Sequence, residues 1–277
     1  MRRALLRENV LMPKLALTIA GSEATGGAGA QADLKTFQAR GVYGIAALTC
    51  IVSFNPSDNW SHRFVPVDAN VIDDQLDAIT GAYGPEALDT VKIGMLGTPA
   101  TITTVAKALS ARPFTNVVLD PVLICKGQEP GAALDTDNAL KAEILPLATV
   151  VTPNHFESLS LSGMDAIDTE DDLIEAAKRI HERYGVTVVA KGGVRIAGPE
   201  AVDVYFDGVS LEVLRAPKVG EVAVSGAGCS LAAAIAAEIA KGATTLEAAR
   251  TAKAFVTEAI TLRVASNAPF DAVWQGD

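Results

Sequence analysis

Six short apolar runs rich in β-branched residues recur along this chain, and stretches with helical spacing separate them. The runs are LALTIA from Leu15, IAALTCIV from Ile45, TVKIGM from Thr90, NVVLD from Asn116, ATVVT from Ala148 and VTVVA from Val186. Runs of this length and composition predict buried strands. Strands that alternate with amphipathic helices predict an α/β fold, in which helices cover both faces of a mainly parallel central sheet. In such a fold the ligand loops lie at the carboxyl ends of the strands.

The last third of the chain changes pattern. AVDVYFDGVSLEVL places an Asp-Gly turn between two alternating runs and predicts a β-hairpin, followed by helices over 227–241 and 246–265. No linker rich in Pro, Gly or Ser divides the 277 residues, so we predict one domain. The hydrophobic content of 49% with only 5% aromatic residues suits a buried sheet under close-packed helices.

Charge and composition limit the partners and the compartment. A net charge of −10 argues against nucleic acid, which needs a basic surface. Residues 1–14 lack the pattern of a signal peptide and are expected to be an N-terminal extension. No apolar run is long enough to span a membrane, and three cysteines without metal-ligand spacing predict free thiols. These features favour a cytoplasmic protein without membrane contacts.

A glycine-rich segment, GSEATGGAGAQADLKTF, follows the first strand. Its glycines would let the backbone approach a ligand just before a helix begins near Ala30. A tight strand-to-helix turn is an equally good explanation. The spacing matches neither a Rossmann fingerprint nor a Walker A loop.

The segment SGAGCS precedes a long apolar helix at residues 225–230. The free N–H groups and the positive dipole end of such a helix would stabilise an anion. We expect this position to lower the pKa of the Cys229 thiol, which could then accept a proton from an alcohol. The alternative is that Cys229 is a small residue packed in a glycine-rich turn.

Three further segments end predicted strands. Asn154 and Glu157 in TPNHFES would share one face of a helical turn, where their oxygens could hold hydrated Mg²⁺ or simply cap the helix. Lys191 in AKGG could reach a phosphate or be an ordinary solvated lysine. Asp120 ends NVVLD and is expected to point into the crevice or to cap a turn. We expect Lys191 and Glu157 to be exposed.

Taken in order, these segments resemble the hydroxymethylpyrimidine/pyridoxal kinase branch of the ribokinase-like superfamily. The resemblance extends over nearly the whole chain from Leu15 and rests on the blocks AGSEATGGAGAQADLKTF, GVYGIAALT, VKIGMLGT, VVLDPVLICKG, ATVVTPNHFE, VVAKGG and SGAGCSLAAAIA. It implies a ribokinase-like fold of three layers, Mg·ATP as the phosphoryl donor, a small-molecule vitamer as acceptor, and a homodimer.

The resemblance also implies a role for individual residues. It gives the anion hole and the base as Gly226, Ala227, Gly228 and Cys229. It gives the ATP contacts as Lys191, Asn154 and Ser225, and the magnesium-organising carboxylates as Asp120 and Glu157. It gives the substrate-side loop as Gly21, Ser22 and Glu23.

Departures from the family pattern bear on the substrate. Pyrimidine kinases of this branch usually carry an Ala-Gln-Asn stretch whose glutamine reads the aminopyrimidine, whereas this chain has Phe54 at the glutamine position. NWSH and CKG instead resemble the pyridoxal kinases, in which two cysteines and a histidine serve the aldehyde, and these motifs supply His62 and Cys125 here. This favours phosphorylation of pyridoxal and pyridoxine in vitamin B6 salvage. A hydroxymethylpyrimidine or phosphomethylpyrimidine kinase of thiamine biosynthesis, a dual-substrate enzyme and a vitamer-binding protein without catalysis are the alternatives.

Overall fold

The computed structural model describes residues 12–112, 114–123 and 130–276. The strands within these ranges are β1 (Leu15–Glu23), β2 (Tyr43–Asn55), β3 (Ser61–Pro66), β4 (Thr90–Ile93), β5 (Asn116–Leu119), β6 (Val150–Val151), β7 (Thr187–Gly193), β8 (Glu200–Phe206) and β9 (Leu211–Pro217). The α-helices are α1 (Gly29–Ala39), α2 (Ala69–Ala82), α3 (Pro99–Ala111), α4 (Pro130–Ala139), α5 (His155–Ser162), α6 (Glu170–Tyr184), α7 (Ala227–Ala240) and α8 (Thr245–Thr261). A π-helical turn (Leu140–Ile144) and a 3-10 turn (Leu145–Leu147) follow α4.

All nine strands form one sheet in the order β3-β2-β1-β4-β5-β6-β7-β8-β9. The six central strands, β2, β1, β4, β5, β6 and β7, pair in parallel with one another. β3 pairs antiparallel with β2 at one edge, and β8 and β9 form antiparallel pairs at the other. The predicted mainly parallel sheet, its six strands and the C-terminal hairpin are confirmed. The sequence did not predict β3, and α8 ends at Thr261 instead of Ala265.

The sheet is covered on both faces, as predicted. Because side chains alternate along a strand, Leu17 and Ile19 of β1 point to one hydrophobic cluster and Ala16 points to the other. The first cluster lies beneath α2, α3 and α6, and the second lies beneath α1, α7 and α8. The molecule therefore has three layers.

Helix α7 is rich in alanine, and every residue from Ser230 to Ala240 is buried. Its N-terminus comes near the carboxyl ends of β5 and β7, since a Cβ on Gly228 would lie 3.2 Å from Lys191 Nζ and 3.9 Å from Asp120 Oδ2. Among the described helices, none combines the length and apolarity that crossing a membrane requires.

Candidate active site

Ser225 and Gly226 lead into α7, whose first residues are Ala227 and Gly228, and Gly226 is the N-cap with a φ of 81°. A Cβ on Gly226 would also collide with the carbonyl oxygen of Gly27 in the β1–α1 loop, so both the conformation and the close approach require glycine. No side chain caps this helix. The Ala227 N–H donates to the Val224 carbonyl at 3.3 Å, so the N–H groups that follow it in the first turn are the ones placed for an external acceptor, and the helix dipole favours an anion there. The residues predicted to form the anion hole lie at this turn, and their role stays a prediction.

The β1–α1 loop that faces this turn is organised by Glu23, whose side chain is buried. Its carboxylate accepts hydrogen bonds from the backbone N–H groups of Thr25 (2.6 Å), Gly27 (3.0 Å) and Ala28 (3.2 Å), and from the Thr25 hydroxyl. The Glu23 carboxylate thus holds the loop in its conformation. Its substrate contact, implied by the resemblance, stays a prediction.

Gly21 and Ser22 lie on β1 just before this loop. A Cβ on Gly21 would collide with the sulfur of the buried Cys50, so only glycine fits there. The Ser22 hydroxyl accepts a hydrogen bond of 2.7 Å from Gln31 Nε2 on α1. The two residues are therefore fixed in place by β2 and by α1.

Lys191 and Asp120 form an ion pair beneath the first turn of α7. The distance between Lys191 Nζ and Asp120 Oδ1 is 2.8 Å, and a Cβ on Gly228 would lie 3.2 Å from the same ammonium. Burial works against the charged form of Asp120, but the charges of Lys191 and Lys92 outweigh it and hold the pKa of Asp120 below its usual range. Lys191 is 14% exposed, so the expectation of an exposed lysine is wrong. The reason is that its ion pair with the buried Asp120 keeps the ammonium inside the site.

Asn154 and Glu157 form a capping box at the start of α5. The Asn154 side chain accepts a hydrogen bond of 3.0 Å from the Glu157 N–H, and Glu157 Oε2 accepts one of 2.7 Å from the Asn154 N–H. Glu157 is only 5% exposed, so its expected exposure is wrong too. Burial raises the pKa of Glu157 to about 8, although the nearby Lys191 charge opposes that rise. The helix-capping alternative describes the observed hydrogen bonds.

Asp120 and Glu157 are the two carboxyl groups that the resemblance assigns to magnesium. Among the described residues, no group of three or more His, Cys, Asp or Glu side chains could hold a metal ion by itself. Mg²⁺ at nucleotide sites usually takes one or two protein carboxylates, with phosphate oxygens and waters as its other ligands. Asp120 and Glu157 act on each other electrostatically, and this donor set suits a metal that arrives with ATP.

Cys229 lies in the first turn of α7 and is partly buried. Burial raises the pKa of its thiol to about 11, against the lowering effects of the Lys92 charge and of the Gly29 N–H. The expected lowering of this pKa is therefore wrong, because burial, together with the nearby Asp120 and Asp33 carboxylates, outweighs the lowering effects. The structure presents Cys229 as a neutral thiol at neutral pH.

Lys92 and Asp33 form a second ion pair, and both side chains are fully buried. Lys92 Nζ lies 2.9 Å from Asp33 Oδ2, which also accepts a hydrogen bond of 2.6 Å from the Thr18 hydroxyl. Burial disfavours the charged lysine, but the Asp33 carboxylate outweighs it and holds the pKa of Lys92 above its usual range. A positive charge is thereby kept close enough to act on Cys229.

An apolar cavity of about 160 Å³ opens beside Lys191, Ala227 and Gly228. Its apolar lining includes Pro217, Val222, Val224, Leu231, Val256 and Ile260. A cavity lined in this way, next to a helix N-terminus, fits a flat base joined to phosphates.

The buried pair Asp203–Lys253 also lines this cavity, with its ammonium and carboxylate 2.8 Å apart. The other Asp203 oxygen accepts a hydrogen bond of 3.1 Å from the Gly192 N–H, which fixes the end of β7. Neither residue was expected from the sequence. The signal was available in α8, where Lys253 lies on the face that also carries Ala249 and Val256.

Phe54 and His62 face each other across the β2–β3 pair, and their ring centroids are 4.6 Å apart. A third ring, that of Phe270, lies 5.1 Å from Phe54 and was not foreseen from the sequence. Cys125 lies outside the described residues. An aromatic cluster of Phe54, His62 and Phe270 therefore stands beside the β1–α1 loop, since the Ala24 N–H donates to the Val52 carbonyl of β2.

Comparison with known proteins settles the family. Residues 23–273 match the family described as phosphomethylpyrimidine kinase. The chain belongs to this family. It is 47% identical over 245 residues to pyridoxine kinase of Bacillus subtilis, covering 88% of this chain and 89% of that protein.

Solved structures of the family agree with this assignment. The ADP complex of Bacillus subtilis pyridoxal kinase has a TM-score of 0.89 and 44% identity, with 95% of this chain and 98% of that chain covered. The Staphylococcus aureus pyridoxal kinase in complex with AMP-PCP and pyridoxal has a TM-score of 0.86 and 36% identity, with 96% and 94% covered. The ribokinase-like fold that the sequence resemblance implied is confirmed.

Proposed function

We propose that this chain is an ATP-dependent kinase that phosphorylates the 5′-hydroxymethyl group of pyridoxal, and of pyridoxine, in vitamin B6 salvage. One observation carries the proposal. The uncapped first turn of α7 lies between the apolar cavity and the β1–α1 loop, with the Lys191–Asp120 pair beside Gly228. Relatives named pyridoxine and pyridoxal kinases, with nucleotide and pyridoxal complexes among them, support the same reading.

The reaction follows from this arrangement. The apolar cavity takes the base of ATP, and the phosphates extend toward the N–H groups of Gly226, Ala227 and Gly228. Lys191 binds a phosphate oxygen, assisted by Asn154 and Ser225. Asp120 and Glu157 would hold Mg²⁺, which supplies positive charge to the phosphates. Positioning and neutralisation of charge then account for most of the rate enhancement.

Cys229 takes the proton of the substrate alcohol. Because burial raises its thiol pKa to about 11, this step needs the positive charge that Lys92 keeps nearby. Gly21, Ser22 and Glu23 bound the pocket on the ring side, together with Phe54 and His62. Cys125, which lies outside the described residues, completes the proposed set as the thiol that serves the aldehyde.

The choice of ring rests on Phe54. A phenyl ring can neither donate nor accept the hydrogen bonds with which a glutamine amide would read an aminopyrimidine. The family description, phosphomethylpyrimidine kinase, keeps hydroxymethylpyrimidine as the second candidate substrate and a dual enzyme as the third.

The decisive experiment measures ATP-dependent phosphorylation of pyridoxal, pyridoxine and hydroxymethylpyrimidine by the purified full-length protein with Mg²⁺. We expect the two pyridine rings to have the higher kcat/KM values. A higher kcat/KM for the pyrimidine would replace the pyridine assignment, and vitamer binding without any phosphorylated product would indicate a binding protein.

We also propose that the protein is a cytoplasmic homodimer whose kinase domain covers residues 15–277, after an extension of residues 1–14. Ile51 and Val65 are cross-strand partners in β2–β3 and are 42% and 43% exposed, which supports an apolar contact at this edge of the sheet. Free thiols at Cys50 and Cys229 suit a reducing compartment. Light scattering of the wild-type protein and of an Ile51→Glu variant tests the dimer.

A further inference from the structure

The C-terminal segment, residues 264–275, turns back from α8 and lies against both loops of the active site. Its two ends pair with each other, since Val264 and Ala272 exchange backbone hydrogen bonds of 2.7 and 3.1 Å. The backbone N–H of Trp274 donates a hydrogen bond of 3.0 Å to the Ala259 carbonyl of α8. The segment is therefore a defined part of the fold.

On one side this segment holds the loop that begins α7. The Ser225 N–H donates to the Asp271 carbonyl at 2.9 Å, and the Val273 N–H donates to the Ser225 carbonyl at 3.1 Å. Gln275 is buried and donates a hydrogen bond of 3.0 Å to the hydroxyl of Ser230, the residue after Cys229. Positions on both sides of the anion hole are thus fixed by the C-terminal segment.

On its other side the segment touches the substrate-side elements. A Cβ on Gly27 would lie 3.1 Å from the Ala272 Cβ and 3.5 Å from Glu23 Oε2, so Ala272 packs directly on the β1–α1 loop. Two residues earlier, Phe270 reaches the Phe54 ring, with 5.1 Å between centroids and planes tilted by 54°. The Ser266 hydroxyl donates to the Phe270 carbonyl at 3.0 Å and fixes the backbone that carries this ring.

The three rings of the aromatic cluster are neither buried in the core nor fully exposed. Both hydrophobic clusters of the core are formed without Phe54 or Phe270, so core packing does not explain why these rings meet. Partly exposed rings that meet edge-on or tilted can accept another flat ring against them. The geometry suits an aromatic substrate beside the β1–α1 loop.

We propose that Phe270 contacts the aromatic ring of the substrate and, with Phe54 and His62, forms the wall of the substrate pocket. The C-terminal segment sets the distance between this wall and the anion hole, because the same short stretch binds Ser225 and carries Phe270. The inference rests on the proposed kinase function and adds a specificity-determining residue to it.

The test is steady-state kinetics of full-length Phe270→Ala, Phe270→Leu and Phe270→Tyr with pyridoxal and pyridoxine. Loss of one aromatic contact should raise the KM for the vitamers about three- to tenfold in the Ala and Leu variants. The KM for ATP should stay within about twofold, and Phe270→Tyr should restore the wild-type value. Phe270→Leu keeps an apolar side chain in place if Phe270→Ala does not fold.

Trp274→Ala is the matched control, because it removes an aromatic side chain that is 45% exposed from the same segment. We expect its vitamer KM to equal that of the wild type. An unchanged vitamer KM in Phe270→Ala and Phe270→Leu, or an equal rise in Trp274→Ala, would overturn the proposal. Failure of the wild-type protein to phosphorylate any vitamer would instead refute the kinase function, and calorimetric binding of pyridoxal to each variant without ATP tests the wall by itself.

Discussion

Lys191 Nζ lies 2.8 Å from Asp120 Oδ1, and this ion pair lies directly beneath the glycine that follows the start of α7. Each partner stabilises the charge of the other in a buried setting, which keeps the pKa of Asp120 low and that of Lys191 high. The lysine is therefore already charged at the place where the phosphates are proposed to bind. A bound nucleotide phosphate must therefore either share Lys191 with Asp120 or replace Asp120 as its partner.

Replacing Lys191 tests that role. We expect Lys191→Met to lower kcat/KM for ATP by about 10²- to 10³-fold, because a preorganised charge on the transferred phosphoryl group is lost. Steady-state kinetics at saturating pyridoxal measures the effect. Lys107→Ala, which removes an exposed lysine on α3, is the control and should leave kcat/KM unchanged. A Lys191→Met enzyme with wild-type kcat/KM would remove Lys191 from the site.

Glu157 gives a prediction about stability and pH. Burial raises its folded pKa to about 8, above the ordinary value of 4.5. Between these values the unfolded chain has lost the proton that the folded protein retains, so the contribution of Glu157 is fully present below the ordinary pKa and is lost as pH rises through about 8. Glu157→Gln keeps the capping box but carries no charge.

We therefore expect the Tm of Glu157→Gln to exceed that of the wild type at about pH 9, and to differ less from it at about pH 6. Thermal unfolding in the presence of a metal chelator measures the two values. The same variant should use Mg·ATP poorly if Glu157 helps to hold the metal. Equal Tm differences at both pH values would show that Glu157 is ionised in the folded protein.

The sequence predicts most of the fold because the central strands are short apolar runs rich in β-branched residues, and stretches with helical spacing separate them. β3 escapes prediction, since SHRFVP places three polar residues before two apolar ones and a proline, without the alternation typical of a strand, in a short stretch at the sheet edge. The candidate residues Lys191, Asp120 and Gly228 could be selected because each ends a strand or begins a helix. Their mutual contacts depend on the sheet order, which pattern alone does not fix.

Burial explains the errors at the site. The sequence shows that Cys229 begins a helix but not that its thiol is buried close enough to Asp33 and Asp120 to feel their charges, so the predicted lowering of its pKa is wrong. Phe270 could not be selected either. It lies in a segment without periodicity, and only the return of the chain toward Ser225 brings its ring to Phe54.

Cys229 predicts the pH dependence of catalysis. A base with a pKa of about 11 is mostly protonated at neutral pH, so kcat/KM should rise with pH by about tenfold per unit between about pH 7 and pH 9. Cys229→Ala should be slow and lack this rise. Cys229→Asp, whose carboxylate is already ionised, should flatten the profile. A flat wild-type profile over that range would mean that Cys229 is not the base that is deprotonated in the rate-determining step.

The buried pair of Lys92 and Asp33 predicts how much the fold depends on an ion pair behind the site. Both side chains are 0% exposed, so removing one partner leaves an uncompensated charge in the core. We expect Lys92→Met and Asp33→Leu each to lower the free energy of unfolding by ~3–5 kcal/mol. Urea unfolding at pH 7 measures these values.

The double variant Lys92→Met/Asp33→Leu shows whether the loss of stability comes from an unpaired buried charge or from the missing ion pair itself. Because two apolar side chains of similar size need no partner, it should be clearly more stable than either single variant, which additive losses would not allow. Arg179→Met is the control, since Arg179 forms an i,i+4 pair with Glu175 in which both side chains are nearly half exposed. Its loss should stay below ~1 kcal/mol. If the single variants at Lys92 and Asp33 lose no more free energy of unfolding than this control, the core tolerates either charge alone. Something other than Asp33 would then have to hold the Lys92 charge that acts on Cys229.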